Sequence, residues 1–557
     1  MKYLTGILLV LGMLSLTAQT KKIQILHSDN TMLDEVKYPE AIVALGNVLV
    51  EHEGATLQCK QALIYQKQNI IKAFGDVLIN QADTLTQSSK YVEYNGNTKI
   101  AKSWGNVILK DQKMTLTTDT LQFNRSTQIL YYDDFATIED HTNTLKSKKG
   151  RYYLHKHKFE AESKVTIVNP DQTLTSDHLD YYTDTGQSYM FGPSTIQDSI
   201  NTLSFEKGFH DSKTKQSFFS KNAKITYKDR VIEGDSMYYD EQKHFASSTN
   251  NITVTDTINN VIVKGQYAEY YETKDSVYIV GKPYTKMLMD QDSMFIHGDT
   301  LMVTGPSEQR IVRAFHHVKF YKSDLQGKCD SLFNNEKQGI TKMYRKPVIW
   351  HDKHQITGDS IHFLTNPKTN KLDSLKIYNR AFLASKDTAG GFNQIKGKFI
   401  YSKFVNDTID NTFIDGNSQM VYYHRDEKTS ELIGVDTETS SNIFIQFDKG
   451  ELAEITFLTQ PDGKTYPPSK LPETAKILEG FIWRQNERPK SKDDIFVHDE
   501  GDDDIMYREP VIRTNPATEN DQESELKPQE NPKEPTTQGL NNATNKSGNP
   551  IETVPTK

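Results

Sequence analysis

Aspartate is the first residue type in this sequence that could do chemistry. Asp119, Asp177, Asp235, Asp299, Asp330 and Asp359 recur in similar surroundings, several followed by Ser or Thr. Carboxylates so spaced could ligate a metal or form an acid–base pair. A residue needed once per structural unit usually serves that unit, however, and Asp side chains cap their own backbone at turns. These six are therefore expected to be structural. His155-Lys156-His157 alternates, which would put both imidazoles on one side of a strand, and His316-His317 and His351-Asp352-Lys353-His354 follow. No helical His-Glu-x-x-His pattern gathers them into a zinc site, and they read as exposed strand histidines. The two cysteines, Cys59 and Cys329, make neither a disulfide framework nor a Cys-based metal site. There is no Gly-rich phosphate loop, Gly-x-Ser-x-Gly elbow or known Cys–His signature. The sequence therefore predicts no catalytic residue, metal or cofactor, and a protein that is not an enzyme.

The remaining chemistry is apolar. Val48, Val50, Val77, Ile79, Val107, Leu109, Leu121, Phe123, Ile138, Val165 and Ile167 fall at alternate positions of short runs. Alternation of period two marks strands with one buried face. These eleven are candidates for the lining of an apolar interior. An ordinary packed core is the simpler reading for any one of them.

A repeat positions them. Gly46-Asn47-Val48-Leu49-Val50 returns as Gly75-Asp76-Val77-Leu78-Ile79 and as Gly105-Asn106-Val107-Ile108-Leu109, and weaker copies continue to about residue 457. Midway between them lies Asp-x-apolar-x-apolar, as in Asp119-Thr120-Leu121-Gln122-Phe123 and Asp177-His178-Leu179-Asp180-Tyr181. Each unit of about 30 residues then holds two strands of about a dozen residues, with a Gly, Asn or Asp near the middle where a bend or bulge costs little. A bent strand can lend one half to each of two facing sheets. Short polar turns, such as Asn95-Gly96-Asn97, pair consecutive strands antiparallel. The expected fold is all-β, an elongated two-sheet antiparallel roll of about a dozen repeats. At the usual strand spacing it would be on the order of 110 Å long.

Composition agrees. Of 557 residues 36 % are hydrophobic and 25 % charged, and 28 Tyr and 25 Phe stand against 3 Trp. The net charge is −8, with twelve acidic and two basic residues between positions 493 and 525. The rest is near neutral, which argues against a nucleic-acid partner. Residues 1–18 read as a secretory signal: a basic start, an apolar run too short to span a bilayer, and Leu16-Thr17-Ala18 at the cut. No transmembrane segment is expected after cleavage. Residues 459–485 read as a cap containing a short helix over 472–480. From 486 to 557 the chain is acidic and Pro-rich and is expected to be disordered.

A signal followed by Gly-[Asn/Asp]-Val-x-[Val/Ile/Leu] and Asp-x-Leu-x-[Tyr/Phe] on a 30-residue period resembles the OstA/LptA family, also called organic solvent tolerance proteins. The likeness is strongest over residues 42–167. It divides the mature chain into OstA-like repeats at 19–200 and further repeats at 201–458. The resemblance implies a β-jellyroll that holds lipid A acyl chains and transports lipopolysaccharide across the periplasm for outer-membrane assembly. It also implies a periplasmic location, with outer-membrane association as one option. The implied partners are lipopolysaccharide and other Lpt-type jellyrolls, or further copies of the chain joined through edge strands near 22–26 and 442–447. The chain is far longer than the short family members, and its end does not resemble a membrane barrel. Two other readings stand beside this one: a structural or adhesive β-repeat fibre, and a carbohydrate-active β-fold enzyme.

Overall fold

Strands of 10–12 residues with alternating burial dominate the first half of the chain. In Ile100–Lys110 the buried positions Ala101, Ser103, Val107 and Leu109 alternate with exposed Lys102, Trp104, Ile108 and Lys110. In the computed structural model, residues 21–499 are described, except 82–84, 141, 228–229, 290–291, 307–308, 370, 389 and 427. The expected signal at 1–18 lies outside the described residues. Among the described residues, thirty-six strands form one antiparallel sheet. Consecutive long strands pair along their length, as Ala55–Tyr65 does with Ile42–His52 and then with Ile70–Gln81.

The bends sit where the repeat placed them. Gly46-Asn47 have φ of 72° and 43°, Gly75-Asp76 75° and 48°, and Gly105-Asn106 83° and 56°. Each pair of left-handed residues forms a bulge. Gly46 and Asn47 stand opposite the single residue Lys60, between the pairs Leu45–Gln61 and Val48–Cys59. A Cβ at Gly46 would lie 2.2 Å from Asp29 Oδ2, so both space and dihedral require glycine. Further along, non-glycine doublets hold the same conformation: Lys221-Asn222, Asn250-Asn251, His316-His317 and Arg345-Lys346. Where the bend is sharp the strand splits. Ile129–Tyr132 and Ala136–Glu139 both pair with Thr115–Asn124, one with each half. Each strand thus contributes to two facing walls, and the fold is a β-jellyroll.

The recurring aspartates are structural, but they do not cap their own turns. Asp235, Asp299, Asp330 and Asp359 stand across the ladder from a bulge and bind its side chains. Asp235 Oδ2 accepts from Asn251 Nδ2 at 3.0 Å, Asp359 Oδ1 from Arg380 Nε at 2.8 Å, and Asp299 Oδ2 from His317 Nδ1 at 2.7 Å. Turns are capped by other residues. Asn95 Oδ1 accepts from the backbone of Asn97 and Thr98, and Asn124 Oδ1 from Ser126 and Thr127. His155 and His157 are exposed as expected but lie in a turn, Leu154–Lys156 and the residue after it, and not on a strand face.

The apolar interior has two segments. One cluster runs from Ile23 to Met237, the other from Ile279 to Ile445. Ile252 and Tyr267 are buried between them and belong to neither. The strand ladder runs on across residue 200, where Gln187–Gln197 pairs with Asn201–Asp211 end to end. Residues 442–447 are not an edge either. They lie within Leu432–Asp448, which Glu451–Leu458 covers.

The end of the chain departs most from expectation. The helix is a single turn, Glu473–Lys476. Residues 467–499 then run back over the outer face of the second half of the roll. Phe481 and Trp483 pack on Phe392, with ring centroids 4.8 and 5.0 Å apart. Gln355 Nε2 donates to Ile482 O, and Arg484 N donates to Gln355 Oε1, both at 2.7 Å. Gln394 binds the backbone at Lys476 and Leu478 in the same two-pronged way. Ile495 is 1 % exposed. Residues 486–499 are therefore an ordered strap and not the start of a disordered tail. Its acidic and polar side chains find partners on the sheet, which composition alone cannot reveal.

Both cysteines are buried and free, Cys59 in the first cluster and Cys329 in the second. Burial pushes the Cys59 thiol up to about 11 and raises that of Cys329 as well. The thiolate is the reactive form, so neither should react with a thiol reagent in the native protein at neutral pH, and both should react after denaturation. A Cys59–Cys329 peptide in a non-reducing digest would contradict the stacked order of strands.

Candidate functional site

All eleven candidate lining residues face the first interior segment. Val48, Val50, Val77, Val107, Leu109, Leu121, Phe123, Ile138 and Val165 are buried, and Ile79 and Ile167 pack against them half-buried. Their sequence neighbours Leu78 and Ile108 are 40 % and 37 % exposed, so the alternation separates two faces. Sequence reasoning passed over the small residues of the same lining. Ala44, Ala62, Ala73, Ala101 and Ala161 are each at most 2 % exposed. They stand at alternate positions on the same or adjacent strands, a signal masked by alanine's weak hydrophobicity.

At the first strands this interior opens into an apolar cavity of about 40 Å³. Ile23, Val50, Leu57, Ile71, Ile79 and Phe123 line it. Polar groups roof it. His52 Nδ1 lies 2.8 Å from Tyr94 Oη, and Arg125 Nη1 donates to Tyr94 Oη at 3.0 Å and to His52 O at 3.1 Å. Burial raises the Tyr94 hydroxyl above its ordinary pKa. A hydrogen bond from the Lys99 ammonium holds Glu53 below the usual carboxylate range, at an ion-pair distance of 2.7 Å. Sequence reading did not single out His52, Tyr94 or Arg125, because three separate strands and turns bring them together.

This geometry suits apolar binding. It offers repeated methyl and methylene surface, with charge confined to one edge. The cavity holds about one water-sized group, whereas a drug-sized ligand occupies roughly 300–1,000 Å³. A ligand of that size would fit only with the walls parted. No helix among the described residues is long and apolar enough to cross a membrane.

Comparison with known proteins bears on the same stretch. The model of the family described as OstA-like protein matches residues 20–177 and 156–235. This part of the chain is OstA-like. The OstA-like region holds all eleven lining candidates and the first interior segment almost to its end. One solved structure aligned with the chain is LptH of Pseudomonas aeruginosa, described as the LptA-homologous periplasmic component of the conserved lipopolysaccharide transport device. It shares 14 % identity over 23 % of this chain and 76 % of its own, with a TM-score of 0.13. No curated protein matches the chain.

Proposed function

We propose that the chain binds lipopolysaccharide without covalent chemistry and carries it across the periplasm for outer-membrane assembly. Lipid A acyl chains lie between the walls of the OstA-like region, against Val48, Val50, Val77, Ile79, Val107, Leu109, Leu121, Phe123, Ile138, Val165 and Ile167. The observation that carries this reading is the inward alternation itself: one apolar face repeats strand after strand in the region that matches the OstA-like family. Each acyl CH₂ moved from water onto that face stabilises the complex by roughly 0.8 kcal/mol. Several chains can thus offset the cost of parting the walls. Residues 1–18 supply the export signal in this reading.

The same reading assigns a docking edge. Gln24–His27 and Asn30–Leu33 each pair on one side only among the described residues, with Ile42–His52. Leu26, Met32 and Leu33 there are 55 %, 44 % and 69 % exposed. An unpaired apolar edge accepts another strand, here from a related jellyroll or a second copy. At the other end Glu451–Leu458 presents exposed Glu451 and Glu454, charges that discourage such pairing.

Photo-crosslinking residues at Ile79, Leu109 and Ile138 test the lining. Lipopolysaccharide adducts are expected from these positions in cells and far fewer from Leu78, Ile108 and Thr137. Equal labelling of both faces, or none in cells making normal lipopolysaccharide, would remove the basis for a lipid conduit.

A further inference from the structure

Three ligand-type side chains meet where the strap crosses the seam. His297 ends the strand Asp292–His297, Asp299 follows it by two residues, and His498 comes from the far end of the strap. One ligand atom from each lies within 4.8 Å of the others. Tetrahedral zinc, with nitrogen and oxygen ligands at about 2.0–2.1 Å, would draw such atoms to about 3.3 Å. A small rotation of the half-exposed His498 ring covers the difference.

The surroundings orient each side chain as a metal ligand requires. His297 is 2 % exposed, and its Nδ1 lies 2.6 Å from Pro283 O. A carbonyl only accepts, so Nδ1 carries the proton and Nε2 keeps a free lone pair. This second-shell contact fixes the tautomer of a metal-bound imidazole. Asp299 is anchored at its backbone by N–H donation to His316 O at 3.0 Å. Its Oδ2 accepts from His317 Nδ1, which leaves Oδ1 turned towards His498 Nε2 at 3.8 Å. His498 is held from both sides. Lys319 Nζ donates to Val497 O at 2.6 Å and pairs with Asp499 at 2.8 Å. Phe496 packs on the His297 ring at 4.8 Å, and the His317 ring stacks on His498 at 4.2 Å.

We propose that His297, Asp299 and His498 form a zinc site that pins the C-terminal strap to the outer face of the roll. Two imidazole nitrogens and one carboxylate suit a borderline ion such as zinc, and not magnesium or calcium, which take oxygen ligands. Solvent beside His498 supplies water for the fourth position. The histidines lie some 200 residues apart in sequence, so the site exists only while the strap is docked. Metal binding and docking stabilise one another. The inference is independent of the lipid reading, because it concerns the other half of the roll and its outer face.

The test uses the untagged mature chain, stripped with chelator and titrated with Zn²⁺ at neutral pH. One zinc per chain is expected, with slower amide exchange over residues 487–499. Co²⁺ in its place should give the visible absorption of a four-coordinate nitrogen–oxygen site. His498→Ala, at an exposed position that the fold does not need, should weaken binding at least about 100-fold and abolish the change in exchange. His317→Ala, which removes the hydrogen bond to Asp299 Oδ2 and the ring stacked on His498 but no ligand atom, should weaken binding about 10–100-fold. His351→Ala, at an exposed histidine elsewhere, should match the parent. The proposal fails if the parent chain takes up no stoichiometric zinc, if His498→Ala binds it equally well, or if zinc leaves exchange in the strap unchanged.

Discussion

Val107→Asp unfolds the first interior segment, while Ile108→Asp, one residue along, leaves it intact. Val107 is 0 % exposed and lies just after the Gly105-Asn106 bulge, amid Leu109, Leu116 and Leu121. The substitution removes a buried branched side chain, worth roughly 1.5–3 kcal/mol. It also buries a carboxyl within the apolar cluster, at a cost of several kcal/mol whether the group ionises or stays protonated. Together these rival the whole stability of an ordinary domain, about 5–15 kcal/mol. Ile108 points outward from the same strand, and a surface change of this kind stays within about 0.5 kcal/mol. A stacked array need not unfold as one unit, so amide exchange by segment is the measurement to make. Protection should collapse across residues 42–168 in Val107→Asp and persist beyond residue 311. Equal loss in the two variants would mean that the wall is not one-sided.

That contrast was legible in the sequence because it rests on strand periodicity. The first bends were legible too: a left-handed doublet favours Gly and Asn, and Gly46-Asn47, Gly75-Asp76 and Gly105-Asn106 supply them. The register of the repeat drifts around Gly192, Gly281 and Ala381, and the bends at Lys221-Asn222, His316-His317 and Arg345-Lys346 use residue types that do not announce the conformation. The aspartates were rightly read as structural, but their partners were missed because period-two reasoning shows which face a residue occupies, not what stands across the ladder. Asp299 and His317 are partners only through the pairing of two strands. The strap was hidden by its polarity, since it docks on glutamines and lysines that read as solvent-facing. One signal did point to it. Val348-Ile349-Trp350 is apolar at consecutive positions, and all three residues are at most 2 % exposed. Such a run marks a strand covered on both faces. Ile349 faces the interior. Trp350 faces outward beside Gln326 and Gln355, its cross-strand neighbours, both of which bind the strap.

Glu487→Lys should release the strap from the roll at neutral pH. Glu487 accepts from Arg484 Nε and Nη2, both at 2.7 Å, and from Lys328 Nζ at 2.9 Å. Lys328 is 6 % exposed and also donates to Asp499 at 2.6 Å. A buried ammonium depends on such partners, and breaking a buried pair costs about 3–5 kcal/mol because a charge is left uncompensated. Lysine at 487 adds a fourth cation beside Arg484, Lys328 and Lys319 and takes away the carboxylate that Arg484 and Lys328 share, so that penalty is its lower bound. Burial by itself would raise the Glu487 carboxyl; hydrogen bonds from Arg484 and Lys328, with their charge, outweigh it and hold the group down at about 2. A carboxylate depressed in the folded state contributes stability above its unfolded pKa, near 4.3, and loses it as pH falls towards the folded value. The parent strap should therefore stay docked at neutral pH and loosen between about pH 5 and 2. Glu487→Gln keeps the shape without the charge; it should loosen the strap less than lysine does and remove this part of the acid dependence. Trp483 and Trp350 report the event directly, since undocking bares both rings to water and should shift their emission to the red. Amide exchange over residues 484–499 provides the independent reading. Docking that survives Glu487→Lys with unchanged emission and exchange would show that the aromatic contacts with Phe392 and the paired glutamines hold the strap without its charges.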